Sequence, residues 1–113
     1  MYIADYGNDR IQKFSNDGTY LSQWGTKGVA EGQFQGPSGL SIDNNDNIYV
    51  TDKNNNRVQV FTTDGQFLTQ FGSTGSGDGQ LIDPEGVGVD KESGDVYIAD
   101  TGNFRIVVFK PTG

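Results

Sequence analysis

Three copies of one sequence pattern run through the chain, and this repeat limits the possible fold more than any other feature. The copies are YIADYGNDRIQKF at 2–14, YVTDKNNNRVQVF at 49–61 and YIADTGNFRIVVF at 97–109, spaced by 47 and 48 residues. The segments between them also match, since DGTYLSQWG at 17–25 corresponds to DGQFLTQFG at 64–72. A repeat of this length indicates one structural unit that is used several times.

Each unit has the pattern of four short strands. In the central unit they are GLSID, NIYVTD, RVQVF and FLTQFG, which are rich in Val, Ile, Tyr and Phe. Asp-Gly and Asn-rich turns separate them, as short hairpins require. We therefore predict an all-β fold made of β-propeller blades, each with four antiparallel strands. The predicted divisions are an incomplete blade at 1–25, a complete blade at 26–72 and an incomplete blade at 73–113.

The repeat resembles the NHL repeat of β-propeller proteins over nearly the whole chain. In the central unit the resemblance is carried by Pro37, Gly39, Asp43, Tyr49, Asp52, Asn55, Arg57, Phe61, Asp64, Gly65 and Phe71-Gly72. The chain contains no His, so other residues, such as Asn55-Asn56, stand where the Asn-His-Leu signature would lie. The resemblance implies a propeller of about six blades, of which this chain is less than half.

An Asp and an Arg five residues apart recur in every unit, and this recurrence favours a structural role. A catalytic residue would be expected once, whereas this pair occurs three times. We expect the Asp to accept hydrogen bonds from backbone N–H groups of the turn that follows it. We expect the Arg to pair with that Asp or with one in a neighbouring blade. The predicted structural residues are Asp5, Arg10, Asp52, Arg57, Asp100 and Arg105.

Composition and charge argue against several functions. The formal net charge is −7 and the pI is about 4.2, which disfavours binding to DNA and to anionic membranes. RNA binding is disfavoured as well, although a local basic patch could form from Lys27, Lys53, Arg10 and Arg57. The absence of His and Cys excludes His-dependent triads built from this chain alone. We predict that the protein is not an enzyme and uses no cofactor.

One acidic segment resembles a calcium loop superficially. DNNDN at 43–47 offers oxygen ligands at alternate positions, but Ile48 and Asn54 stand where such a loop needs Gly and Glu. A tight hairpin explains this segment better, so we predict no metal site. Likewise, GSTGSGDG at 72–79 lacks the Lys-Ser/Thr ending of a phosphate-binding loop.

The turns between the second and third strands differ among the units, which favours recognition by one face of the propeller. Glycine-rich loops that connect the blades would extend the same face. We therefore predict a scaffold or binding module for a protein, peptide or glycan. The candidate binding residues are Tyr6, Asn8, Asp9, Lys27, Lys53, Asn54, Asn55 and Phe104. The alternatives are a self-assembling propeller fragment with no ligand and a part of a channel-metal hydrolase or lyase propeller.

The strand count predicts self-association. The chain supplies three, then four, then three strands, so its first and last blades are incomplete and leave surfaces bare. We expect a homodimer that closes a six-bladed ring, or a trimer. An exchange in which the strand EGVGVD fills another chain's first blade is an alternative. The sequence indicates neither a compartment nor a source, nor whether the chain is a piece of a longer protein.

Overall fold

The computed structural model describes residues 1–110 and contains three antiparallel sheets, each corresponding to one sequence unit. The first blade consists of β1 (Tyr2–Asp5), β2 (Arg10–Phe14) and β3 (Tyr20–Trp24). The second consists of β4 (Pro37–Ile42), β5 (Ile48–Asp52), β6 (Arg57–Phe61) and β7 (Phe67–Phe71). A short parallel pair, β8 (Ser73–Thr74) and β9 (Gln80–Leu81), precedes the third blade. The third blade consists of β10 (Pro84–Val89), β11 (Val96–Asp100) and β12 (Arg105–Phe109).

The repeated Asp and Arg face each other across the same hairpin in every blade. Asp52 pairs with Arg57 at the end of β5 and β6, and the other two blades have the same register. A single turn of 3-10 helix joins the strands, at Tyr6–Asn8, Lys53–Asn55 and Thr101–Asn103. The residue after each turn has a left-handed backbone conformation, which ends the turn and starts the next strand.

The hydrophobic core lies between the blades. The first cluster joins Ile11 of the first blade to Ile48, Val50 and Phe61 of the second. The second cluster joins Val58 of the second blade to buried residues of the third, Val96 and Ile98. Each blade therefore presents apolar residues on both faces, and a face is buried only where another blade packs against it.

The segment that crosses from one blade to the next contributes its own core residue. Phe34 lies in the first crossover and Leu81 in the second, and both side chains are completely buried in the interblade clusters. The crossovers are also tied by parallel pairing, between Lys27 and Phe34 and between β8 and β9. A crossover thus forms part of the interblade packing.

The innermost strands of the second and third blades approach each other closely. The Thr51 hydroxyl donates to the Glu85 carbonyl at 2.9 Å, and the Ser38 hydroxyl donates to the same oxygen at 2.9 Å. A side chain at Gly39 would place its Cβ 2.7 Å from that carbonyl. Glycine at this position therefore allows the two strands to pack. The strand β10 pairs within its own blade, with β11.

Candidate functional site

The Asp–Arg pair of the second blade is the centre of a buried polar cluster. Arg57 donates from Nε to the Asp52 carboxylate at 2.9 Å, and Asn55 donates to the same carboxylate at 2.9 Å. The Gln59 amide also donates to it, at 3.4 Å. Asp52 and Gln59 are fully buried, so these hydrogen bonds compensate the cost of removing the groups from water. We call the Asp, Asn and Arg of each blade its clamp.

The clamp of the second blade holds the backbone of the incoming crossover. Arg57 donates to the carbonyl oxygens of Val29, Ala30 and Gln33 at 2.8, 3.1 and 2.8 Å. Asn55 donates to a further carbonyl, at Gly28, at 2.9 Å. The Asp52 carboxylate in turn accepts a hydrogen bond from the Gln35 N–H at 2.7 Å. The clamp therefore binds main-chain groups and does not depend on the crossover's side chains.

The third blade repeats this arrangement. Arg105 donates to the carbonyl oxygens of Ser76, Gly77 and Gln80 at 3.1, 3.1 and 2.9 Å. Asn103 donates to the Gly75 carbonyl, and the Ile82 N–H donates to Asp100. Burial alone would raise the pKa of the Asp100 carboxyl, but the hydrogen bonds from Ile82, Asn103 and Arg105 lower it below the ordinary value of 3.8. Asp100 thus acts as a charged acceptor.

One prediction about the Asp is wrong. The Asp was expected to satisfy N–H groups of the turn that follows it, but no side-chain cap is present at any of the 3-10 turns in the described residues. In the second blade the turn bonds within its own backbone, from Asn56 N–H to the Lys53 carbonyl. The Asp52 carboxylate is therefore free to bind the crossover. The expected Arg partner is the Asp of the same blade.

The clamp of the first blade has the same internal geometry but is more exposed. Arg10 donates from Nε to Asp5 at 2.9 Å, and Asn8 and Gln12 donate to the same carboxylate. The hydrogen bonds from Arg10 and then Asn8 lower the pKa of Asp5 below its ordinary value. Among residues 1–110 no crossover lies on this clamp, and Arg10 reaches only one other partner, the Gln23 side chain.

Side chains in and directly after the 3-10 turns form a second feature, which we call the turn rim: the exposed Tyr6, Asn54 and Phe104 and the partly buried Lys53. Lys53 forms an ion pair with Glu85 at 3.3 Å and lies 6.0 Å from the centre of the Tyr6 ring. The hydrogen bond and charge of Glu85 raise the pKa of the Lys53 ammonium group. Phe104 is 95% exposed in a left-handed conformation (φ 55°). No core contact explains an aromatic residue at that position.

The other candidate binding residues separate into different environments. Asn8 and Asn55 belong to clamps, and Asn55 is engaged by the crossover. Asp9 accepts a hydrogen bond from the Gly36 N–H at 2.8 Å, so it joins the first blade to the next. Lys27 lies in the first crossover, and no ion pair of residues 1–110 joins it to the turn rim.

Sequence reasoning missed two residues of this face. Asn56 occupies the position of Asp9 and accepts a hydrogen bond from the Asp83 N–H at 2.8 Å. Glu85, the ion-pair partner of Lys53, lies on an inner strand. The equivalence of Asp9 and Asn56 in the repeat was the available signal for the first. No sequence signal pointed to Glu85, because its contact with Lys53 joins two different blades.

The opposite end of the blades contains the hairpin that the acidic segment predicts. The Asp43 carboxylate accepts from the Asn45 and Asn47 N–H groups at 2.8 and 2.9 Å, and from the Tyr49 hydroxyl at 3.2 Å. Burial and the nearby Asp43 charge raise the pKa of Tyr49. In residues 1–110, no three Asp or Glu side chains form a group suited to a metal ion.

A cleft of about 400 Å³ opens between the second and third blades, and sequence reasoning did not predict it. Its apolar walls include Tyr49, Val60, Phe71 and Phe109. The rings of Phe71 and Phe109 lie 4.5 Å apart at its base. Lys110 also lines the cleft.

Comparison with protein families agrees with the repeated sheets and their interblade packing. A family model described as a 6-bladed beta-propeller matches residues 33–113. The chain belongs to this family. The predicted fold class, an all-β partial propeller, is therefore confirmed. No curated protein matches it.

Solved structures show the same fold at low sequence identity. A protein of unknown function from Bacteroides thetaiotaomicron has a TM-score of 0.79 and 19% identity, over 96% of this chain and 32% of that one. A streptogramin B lyase has a TM-score of 0.74 and 19% identity, over 99% and 34%. An auxiliary nutrient binding protein from Bacteroides thetaiotaomicron has a TM-score of 0.71 and 19% identity, over 93% and 33%.

The chain thus spans about a third of the length of the solved structures that it matches. At these identities the likeness establishes the propeller fold alone. The described residues contain no helix with the length and apolar character needed to cross a membrane.

Proposed function

We propose that this chain of the 6-bladed beta-propeller family is a non-catalytic binding module of NHL type, whose turn rim recognises a protein, peptide or glycan. One observation carries the proposal: the repeated residues of each hairpin are used in the clamps, whereas variable aromatic residues between them are exposed to solvent. Asp52 and Arg57 are buried, but Tyr6 and Phe104, which lie in equivalent turns, are exposed. Exposed aromatic side chains on a rigid scaffold are typical of recognition surfaces.

The finer assignment to the NHL type rests on the repeated sequence. The Asp and Arg of the repeat pair in all three blades, at 2.9, 2.9 and 2.8 Å, and in the second and third blades the Arg also binds the crossover. A repeat whose signature residues build the interblade connection fits a family defined by that repeat. The family of 6-bladed beta-propellers is compatible with this assignment.

Peptide-display and glycan-array screening of the purified chain tests the binding role. The test variant is Tyr6→Ser combined with Phe104→Ser, and the matched control is Tyr20→Ser combined with Leu68→Ser on outer strands. We expect ligands that the wild type and the control bind but the rim variant does not. Ligands retained by the rim variant would contradict recognition by the rim. The absence of any ligand would favour the alternative of a fragment that only assembles.

We also propose that the chain associates with a second copy through its bare blade faces. Ile3 is 44% exposed and Ile106 is 65% exposed. The repeat-equivalent residues of the second blade, Val50 and Val58, are completely buried because another blade covers each of them. The face of the first blade that carries Ile3 and the face of the third blade that carries Ile106 therefore correspond to the two sides of an interface between neighbouring blades. The first face of one copy can pack against the last face of another.

This pairing is head-to-tail, since it joins two different faces. The chain has three blades and its family is six-bladed, so two copies would close one ring. Light scattering coupled to size exclusion tests this directly, with an expected mass of twice 12.2 kDa. A monomer at all concentrations would contradict self-association and favour coverage of these faces by further blades of a longer chain.

A further inference from the structure

The clamps of the second and third blades recognise the same main-chain positions of their crossovers. The bound carbonyls belong to Gly28, Val29, Ala30 and Gln33 in one crossover and to Gly75, Ser76, Gly77 and Gln80 in the other. The bound N–H groups, of Gln35 and Ile82, are also equivalent. Gly and Gln recur at the first and last carbonyl positions, whereas Val29 and Ala30 correspond to Ser76 and Gly77. The bound segment is bent in both crossovers, since the Gln33 and Gln80 N–H groups donate back to the Ala30 and Gly77 carbonyls at 3.0 and 3.1 Å. The clamp is therefore a site for the main chain of a turn, repeated within one molecule.

The clamp of the first blade has the same groups, and no crossover from residues 1–110 lies on it. The Arg10–Asp5 distance of 2.9 Å equals that of Arg57–Asp52, so the donors and acceptors are already arranged. The Arg10 side chain is 32% exposed, compared with 9% for Arg57. Arg10 Nη2 has no partner within residues 1–110. In each of the other blades the equivalent atom binds two crossover carbonyls.

The apolar part of the site is also present and uncovered. In the second blade the crossover residue Phe34 packs against a surface that includes Ile48, Val50 and Phe61. The repeat-equivalent residues of the first blade are Met1, Ile3 and Phe14. Met1 and Ile3 are exposed and Phe14 is partly exposed, whereas their counterparts are completely buried. An apolar side chain next to the bound main chain would cover this surface.

We propose that the clamp of the first blade binds a bent peptide segment of the crossover type, in which a glycine-rich turn is followed by a Gln-Phe or Gln-Leu pair. Arg10 would donate to its carbonyls, Asp5 would accept from one N–H group, and the Phe or Leu would pack on Ile3. A free anion fits the site less well, because the Asp5 carboxylate lies beside the Arg10 guanidinium. An uncharged main chain offers both the acceptors and the donor that this pair requires.

This inference specifies a ligand class for the first blade and stands whether or not two copies associate. Where copies do associate head-to-tail, Ile106 of the second copy would lie where Ile11 contacts Phe34 within the chain. Peptide binding and pairing would then strengthen each other, because the apolar side chain of the peptide would pack against both copies, as Phe34 packs between two blades.

The test uses a fluorescein-labelled synthetic peptide with the sequence of residues 26–37, TKGVAEGQFQGP, titrated with the full chain and followed by anisotropy. We expect saturable binding that Arg10→Gln weakens about tenfold or more, since hydrogen bonds from a charged donor are lost. Lys91→Gln removes the same charge at an exposed site away from the clamp and should leave the affinity unchanged. Absence of saturable binding, or equal affinity of Arg10→Gln and the wild type, would overturn the proposal.

Changes in the peptide provide a second test that does not depend on the folding of a protein variant. Replacing the peptide's Phe by Ser should weaken binding, because the equivalent side chain is fully buried in the intact crossover. Replacing its Val by Ser should not, since Val29 is 67% exposed. Equal effects of the two peptide changes on affinity would contradict the proposed binding mode. Dimerisation without peptide binding would overturn this inference alone, and peptide binding by a monomer would overturn only the proposed association.

Discussion

Arg57 and Asp52 form a buried ion pair at 2.9 Å that joins two strands of one blade to the crossover from the preceding blade. The same pair in the first blade, Arg10 and Asp5, has the same distance and no crossover on it in the described part of the chain. The geometry of the pair therefore belongs to the hairpin, and its burial comes from the crossover. This distinction separates local structure from interblade packing.

Replacement of Arg57 by Ala should lower the free energy of unfolding by about 3–5 kcal/mol, because it leaves a buried carboxylate without its charged partner. Arg10→Ala should have a smaller effect, since Asp5 is partly exposed and can be hydrated. Urea denaturation of both variants followed by circular dichroism measures the difference. Equal losses in the two variants would show that the crossover contacts of Arg57 contribute nothing to stability.

Replacement of Phe34 by Ala should lower the free energy of unfolding by about 3–5 kcal/mol, because it opens a cavity between the first two blades. Val29→Ala in the same crossover should change it by no more than about 0.5 kcal/mol, as is usual for an exposed side chain. Thermal unfolding of the two variants tests the role assigned to the crossover. A mild effect at Phe34 would mean that the blades pack without its side chain.

Head-to-tail pairing can be tested by blocking one face at a time. Ile3→Asp and Ile106→Asp should each abolish the dimer, because both junctions of a two-chain ring use both faces. An equimolar mixture of the two variants should recover a dimer, joined at the one junction where both faces are intact. Analytical ultracentrifugation of each variant and of the mixture measures this. A mixture that stays monomeric would contradict head-to-tail pairing.

Phe104→Asn should raise the free energy of unfolding by up to about 1 kcal/mol. A left-handed conformation is costly for a bulky residue, and Asn tolerates it better. Asn56 already occupies the equivalent position with nearly the same φ, 53° against 55°. Chemical denaturation measures the gain, and a loss of stability would show that the exposed ring makes a stabilising contact. The same variant should bind ligands of the turn rim less tightly.

Stability should fall as the pH falls below the ordinary range of carboxyl groups. The pKa of Asp100 is lowered in the folded protein, so the unfolded chain binds the proton more readily. The stabilisation is therefore complete above the unfolded pKa, near 3.8, and is lost as the pH falls through the lower folded value. Melting temperatures measured from about pH 6 to pH 2 should show this decline. Asp100→Asn should have a shallower decline than the wild type.

Most of the fold could be predicted from the repeat. Alternation of Val, Ile, Tyr and Phe between Asp-Gly and Asn-rich turns defines antiparallel hairpins, and a third copy of the pattern makes coincidence untenable. The Asp–Arg pair was also predictable, because residues five apart across a short turn meet in a hairpin. These features depend on contacts between residues that are close in sequence.

The contacts between blades could not be predicted from the repeat in the same way. The Gln35 N–H binds Asp52 from 17 residues away, and Phe34 enters a core built from two sheets. The repeat keeps an apolar residue at Phe34 and Leu81, whereas Val29 corresponds to Ser76, but only the packed sheets show where the Phe34 side chain lies. The sequence by itself determined the hairpins and the number of repeated units. The tertiary structure alone decided which clamps are filled and which apolar faces are covered, since burial depends on what the neighbouring blade supplies.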